Sequence, residues 1–152
     1  MKTNTIHKLA TLAILGVSLV LAAGTATAGV FRTYVLVGSY PAVAPAGATV
    51  QVPVQLGYQE LGSGRWVFLS GRTLTVNGYL NGGTMRNVPY PMGPVTTGAN
   101  GRATITFQMP HKLRNAGGYE VGTAFRVTVK FAGEPPSLLP GGENRTISIG
   151  IQ

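Results

Sequence analysis

Thr49-Val50-Gln51-Val52-Pro53-Val54-Gln55-Leu56 is the stretch on which the fold class turns. Val50, Val52, Val54 and Leu56 hold alternate positions, with Thr49, Gln51, Pro53 and Gln55 between them. Successive side chains of a β-strand point to opposite faces, so this period of two predicts a strand with one buried and one wetted face. Three more stretches read the same way. Arg102–Met109 sets Ala103, Ile105, Phe107 and Met109 on one face. Phe125, Val127, Val129 and Phe131 alternate with Arg126, Thr128 and Lys130, and Ile147, Ile149 and Ile151 alternate with Thr146, Ser148 and Gly150. Weaker patterns cover Phe31–Val37, Trp66–Leu69, Arg72–Val76 and the surroundings of Val95, for seven to eight strands and no helix. Pro53 has no N–H to give to a neighbour, so its strand is expected at an edge or with a bulge.

Turn chemistry separates these strands. Pro45-Ala46-Gly47, Gly62-Ser63-Gly64, Asn77-Gly78, Asn81-Gly82-Gly83, Gly117-Gly118 and the Pro135–Gly142 loop all supply turn-forming or positive-φ residues. Asn100-Gly101, between two strand candidates, has the residues a tight hairpin requires. Short strands at this spacing favour two antiparallel sheets packed face to face, or a barrel. Trp66, the single Trp, is expected to fill the space between the sheets.

The first 28 residues read differently. Lys2 and Lys8 flank a polar start, Leu9–Leu21 is an almost wholly apolar run of 13 residues, and small residues lead to Ala26-Thr27-Ala28. A bilayer span needs about 20 apolar residues, so the segment is expected to be a cleaved signal peptide over residues 1–28, with an uncleaved anchor as the alternative. Residues 29–152 then form one domain, exported to the periplasm, the cell surface or the medium. No second stretch approaches membrane length, so no stable membrane insertion of the mature chain is expected. The mature part carries ten Lys and Arg against Glu60, Glu120, Glu134 and Glu143, a net charge of +6. Such a surplus favours anionic partners, and equally serves solubility. The exported address disfavours nucleic acid. With no Cys in the chain, neither a disulfide framework nor a thiolate site is available.

Catalysis needs positioned acids, bases, nucleophiles or metals. After the leader the sequence offers one His, His111, no Asp and no Cys, and its four Glu are dispersed. A Ser-His-Asp triad cannot be assembled from these residues, and no metal or organic cofactor is called for. Two groups remain as candidate ligand contacts. Tyr58, Trp66, Tyr79 and Tyr90 fall in or beside the two longer connections, with Arg65 and Arg86 nearby, and aromatic faces with polar neighbours hold sugars or peptides. Core packing and loop anchoring explain the same aromatics. Lys112 and Arg114, in Pro110-His111-Lys112-Leu113-Arg114, could meet an anionic surface or simply line a solvated turn. Asn144-Arg145-Thr146 matches a glycosylation acceptor pattern.

The run Pro94-Val95-Thr96-Thr97-Gly98-Ala99-Asn100-Gly101-Arg102-Ala103-Thr104-Ile105-Thr106-Phe107 resembles the Thr-Thr-x-x-x-Gly-x-Ala-x-hydrophobic hairpin of bacterial immunoglobulin-like (Big, invasin/intimin-type) domains. Val50–Leu56 followed by Ser70–Val76, and Val127–Phe131 followed by Arg145–Ile151, are similar to flanking strands of that family in the same order. The resemblance extends over roughly Pro45 to Gln152. It implies an immunoglobulin-like antiparallel β-sandwich and a non-catalytic role in binding, adhesion or structural support, with a protein or polysaccharide of the cell envelope as partner. The chain has no Asp, so the calcium-binding linkers of some members are not implied. An alternative is a subunit of a surface fibre or secretion assembly joined by β-strand addition, with Phe31–Val37, which lies outside the resemblance, as the exchanged strand.

Overall fold

The computed structural model describes residues 30–83, 85–140 and 145–152; the expected signal peptide and Asn144 lie outside them. The first sheet is built on β3 (Thr49–Gln59), which pairs antiparallel with β1 (Phe31–Val37) on one side. On its other side β3 takes two partners in succession, β8 (Arg102–Gln108) against Thr49–Gln55 and β4 (Trp66–Phe68) against Gly57–Gln59. The short β12 (Leu138–Leu139) extends the sheet beyond β1. The second sheet runs β2 (Val43–Ala44), β13 (Arg145–Ile151), β11 (Ala124–Lys130), β5 (Thr73–Gly82), β6 (Met85–Tyr90), with β7 (Val95–Thr96) also on β5. A small separate hairpin joins β9 (Leu113–Arg114) to β10 (Glu120–Val121).

The alternating residues meet in one core. Val50, Val52, Val54 and Leu56 of the first sheet are buried in the same cluster as Phe125, Val127 and Val129 of β11 and Ile147, Ile149 and Ile151 of β13. Phe107 and Phe125, from opposite sheets, bring their ring centroids to 5.1 Å. Each fully buried aliphatic or Phe side chain is worth about 1.5–3 kcal/mol in apolar transfer, so this seam dominates the stability of the domain.

Several expectations change on contact with the fold. Phe31–Val37 forms one of the strands of the first sheet: it pairs along β3, Val35 is in the core, and the buried Thr33 hydroxyl donates to the Leu139 carbonyl at 2.9 Å. Asn77-Gly78 is not a turn but the middle of β5, where Gly78 pairs with both Val127 and Tyr90. A Cβ on Gly78 would lie 2.7 Å from Phe125 Cζ, so glycine is needed there for close packing. Asn100 and Gly101 do adopt positive φ, but they carry the chain from one sheet to the other, because β7 hydrogen-bonds to β5 and β8 to β3. The sheets are not purely antiparallel, since β1–β12 and β2–β13 are short parallel pairings. Parallel pairing needs a long connection, and these partners lie far apart in sequence. Pro53 sits opposite Thr104 inside the sheet; its carbonyl accepts from Gly38 N–H at 2.8 Å, so its donorless nitrogen falls where β3 outruns β1. Trp66 does not fill the core. It is 37% exposed on the outer face.

Candidate binding face

The outer face of the first sheet follows from register. With the even residues of β3 inward, Gln55, Gly57 and Gln59 point out, and their cross-strand partners point out with them. Tyr34 and Phe68 flank Gly57, Leu36 and Arg102 flank Gln55, and Trp66 lies opposite Gln59. One step further along the β1–β3 register brings Arg32 beside Gln59. Gly57 is the pivot of this arrangement: it is buried beneath its neighbours, and a Cβ there would lie 2.9 Å from the Phe68 ring. Its missing side chain lets the flanking rings converge. Trp66 and Phe68 stack 6.2 Å apart with planes only 6° from parallel, and Tyr34 meets Trp66 edge-on at 5.8 Å. Phe68 is 38% exposed, so two near-parallel rings are open to solvent.

Charge on the rim is organised by the β3–β4 loop. Arg65 clasps Glu60 through two bonds, Nε to Oε2 at 3.1 Å and Nη2 to Oε1 at 2.9 Å, and the Ser63 hydroxyl donates to the same carboxylate at 3.0 Å. The hydrogen bond from Arg65 and then that from Ser63 hold the Glu60 carboxyl below its ordinary range, and the pairing raises Arg65 in turn. A cleft of about 370 Å³ opens beside this loop, lined among others by Arg32, Tyr34, Gln59 and Leu61.

The candidate contacts separate in space. Arg65 and Trp66 lie together at one end of this face. Tyr58 sits on the opposite side of the sheet from Trp66, half-buried and stacked on Phe31 at 4.5 Å. Tyr90 packs edge-on against the core ring of Phe125 at 5.2 Å, and Tyr79 is half-buried opposite Arg126 and Pro89 in the second sheet. Arg86 is exposed on β6, also in the second sheet. Lys112 and Arg114 share Glu120 in the β9–β10 hairpin, at 3.2 and 3.8 Å. The two groups the sequence offered therefore fall in four places: the outer and inner sides of the first sheet, the second sheet and the β9–β10 hairpin. Half-buried Tyr34 and exposed Phe68 complete the cluster, and sequence reasoning missed both because each belongs to a weakly patterned strand.

Among the described residues no group of three or more His, Cys, Asp or Glu could hold a metal ion. Glu60, Glu120 and Glu134 each face a cation of their own, Arg72 lying 2.8 Å from Glu134.

The chain matches no protein-family model and no curated protein. Among solved structures it is similar to a beta-glucosidase from Listeria innocua. The isofagomine complex aligns at 14% identity with a TM-score of 0.41, and the gluconolactone complex at 14% with 0.42. Both alignments cover 80% of this chain and 16% of the other, so the chain spans about a sixth of that enzyme's length.

Proposed function

We propose that this is an exported, non-catalytic immunoglobulin-like module that binds a polysaccharide or protein of the cell envelope through the Tyr34–Trp66–Phe68 face. The strand order supports the immunoglobulin-like reading: β1, β3 and β8 lie in one sheet and β2-β13-β11-β5-β6 in the other. The chain's first segment contributes β1 to one sheet and β2 to the other, an arrangement compatible with sandwiches of that type. The Pro94–Phe107 resemblance to bacterial immunoglobulin-like domains points the same way, and the leader over residues 1–28 supports export.

One observation carries the binding role. Two large, near-parallel rings, Trp66 at 37% and Phe68 at 38% exposure, stand open to solvent on a sheet face. Aromatic anchors of this kind dominate contact energy where partners meet. The test is co-sedimentation of the mature protein with cell-wall fractions and insoluble glycans, alongside Trp66 fluorescence with soluble ones. Binding is expected for the wild type, and W66A is expected to weaken it about tenfold or more, the loss of about 1.4 kcal/mol of contact. No binding to either panel, or W66A binding as tightly as wild type, would refute the assignment.

A further inference from the structure

We infer that the ligand of this face is an acidic polysaccharide, its sugar rings on Trp66 and Phe68 and its carboxylates on Arg102 and Arg32. The inference rests on the reading of this face as a binding surface and adds the chemistry of the occupant.

Shape is the first support. Because β4 and β8 follow each other along the same edge of β3, their outward residues form a single lane. Trp66, Phe68, Arg102, Thr104, Thr106 and Gln108 lie opposite Gln59, Gly57, Gln55, Pro53, Gln51 and Thr49 in turn. At about 3.4 Å per residue this lane is roughly 30 Å long. It is an open track for an extended polymer, not a pocket for a small molecule. The 6.2 Å between the Trp66 and Phe68 centroids sets two near-parallel apolar rings in succession along it, for contact with the apolar faces of pyranose rings. Thr104 and Thr106, both exposed, add hydroxyls further along.

The second support is what the lane lacks. β3 is paired on both sides where the rings sit, with β1 at Gly57 and β4 at Gly57–Gln59. Its backbone donors and acceptors there are engaged, so strand addition is confined to the outer edges of β4 and β8, beside the lane and not on its face. Recognition is left to rings, hydroxyls and guanidinium groups, which is the chemistry of sugar binding.

Charge selects among sugars. Arg65 is neutralised by Glu60 at 2.9 Å. Arg32 and Arg102 are exposed, and their guanidinium groups have no ion pair or hydrogen bond among the described residues. They flank the ring cluster, Arg102 directly after Phe68 in the lane and Arg32 one strand over beside Gln59. Glu60, the residue after Gln59, is already paired with Arg65. Guanidinium–carboxylate bonds are roughly twice as strong as neutral ones, so this arrangement rewards a negative charge beside a stacked ring. The outer face of the second sheet carries Arg126 and Lys130 but pairs them with Tyr79 and Thr75, without exposed stacked rings among the described residues. Basic charge and open aromatic surface coincide on the first sheet.

Polygalacturonate, its fully methyl-esterified form and poly-L-glutamate separate the terms, with affinity gel electrophoresis of the mature protein as readout. Polygalacturonate is expected to bind about tenfold tighter than the ester, with an advantage that shrinks on added salt. R32Q/R102Q is expected to erase that difference and keep the weak binding of the ester, whereas W66A/F68A loses both. All four positions are solvent-exposed, and circular dichroism of each variant checks that the fold survives. Equal binding of acid and ester, with loss in W66A/F68A, would overturn the charge inference and leave the binding face standing. Poly-L-glutamate binding as tightly as polygalacturonate and indifferent to W66A/F68A would overturn it as plain polyanion adsorption. Failure of the wild type to bind any of the three would overturn the inference, and the wall-fraction assay would then decide separately on the face.

Discussion

Phe125 and Phe68 are the same side chain in opposite circumstances, and replacing each by Ala tests how the sheets divide inside from outside. Phe125 is 0% exposed, with Phe107 at 5.1 Å and Tyr90 at 5.2 Å around it. Truncating a buried Phe costs about 3–5 kcal/mol, and each lost aromatic contact adds about 0.5–1.5 kcal/mol. F125A should therefore lose about 4–5 kcal/mol, a large share of the roughly 5–15 kcal/mol that a domain possesses. F68A, on a face that stays wet, should lose about 1 kcal/mol. Gly78 sharpens the test, since its missing Cβ would stand 2.7 Å from Phe125 Cζ and 2.8 Å from Met92 Sδ. G78A alone should cost about 1–3 kcal/mol through overpacking. In the F125A background the ring is gone and Met92 can swing aside, so the same substitution should cost almost nothing. The double-mutant cycle then shows a coupling of about 1–2 kcal/mol. Urea unfolding followed by far-ultraviolet circular dichroism measures all four proteins. Equal losses in F125A and F68A, or strict additivity of G78A with F125A, would refute the placement of Phe125 between the sheets.

Two further outcomes follow from the polar contacts. Thr97 is 2% exposed; its Oγ1 donates to the Leu69 carbonyl at 2.7 Å and accepts from Arg72 N–H at 2.9 Å. T97V strands both backbone groups and should cost about 1–3 kcal/mol, whereas T97S keeps the bonds and costs less; a thermal melt in which the two variants coincide would contradict this. The Glu60 carboxyl, lowered from 4.5 by Arg65 and Ser63, should titrate below that value in a carbon-detected NMR experiment and move back toward it in R65Q. Because the folded value is depressed, the contribution of this loop clasp is complete above the unfolded carboxylate value and is lost as pH falls through the folded one. A wild-type midpoint at or above 4.5 would count against the clasp.

The strands with strict alternation were legible because a half-buried sheet leaves a period-two record in the side chains themselves. Val50–Leu56, Ile105–Met109, Phe125–Phe131 and Ile147–Ile151 all turn the expected residues inward. β6 was not legible: Arg86, Asn87 and Pro89 break any alternation, and it forms because the Gly82-Gly83 turn returns the chain against β5. Asn77-Gly78 has turn composition yet sits in a strand, since two neighbouring strands and the Phe125 ring override local preference. Of the candidate contacts, Arg65 and Trp66 sit on the proposed face, and Tyr58 and Tyr90 lean toward the core. Sequence proximity could not separate them, because one residue of shift in a strand reverses the face a side chain occupies.

What the sequence by itself determined is the all-β class, the composition of the core and the dispersal of the acids. Each is written in side-chain periodicity or residue counts, which hold whichever strands become neighbours. Tertiary structure alone decided the partners. It set β4 and β8 in line along one edge of β3, placed Gly57 under Tyr34 and Phe68, and turned Trp66 outward to stack with a ring two residues away. Such a face exists only once segments distant in the chain share a register, and register is fixed by the pairing of whole strands over a common core.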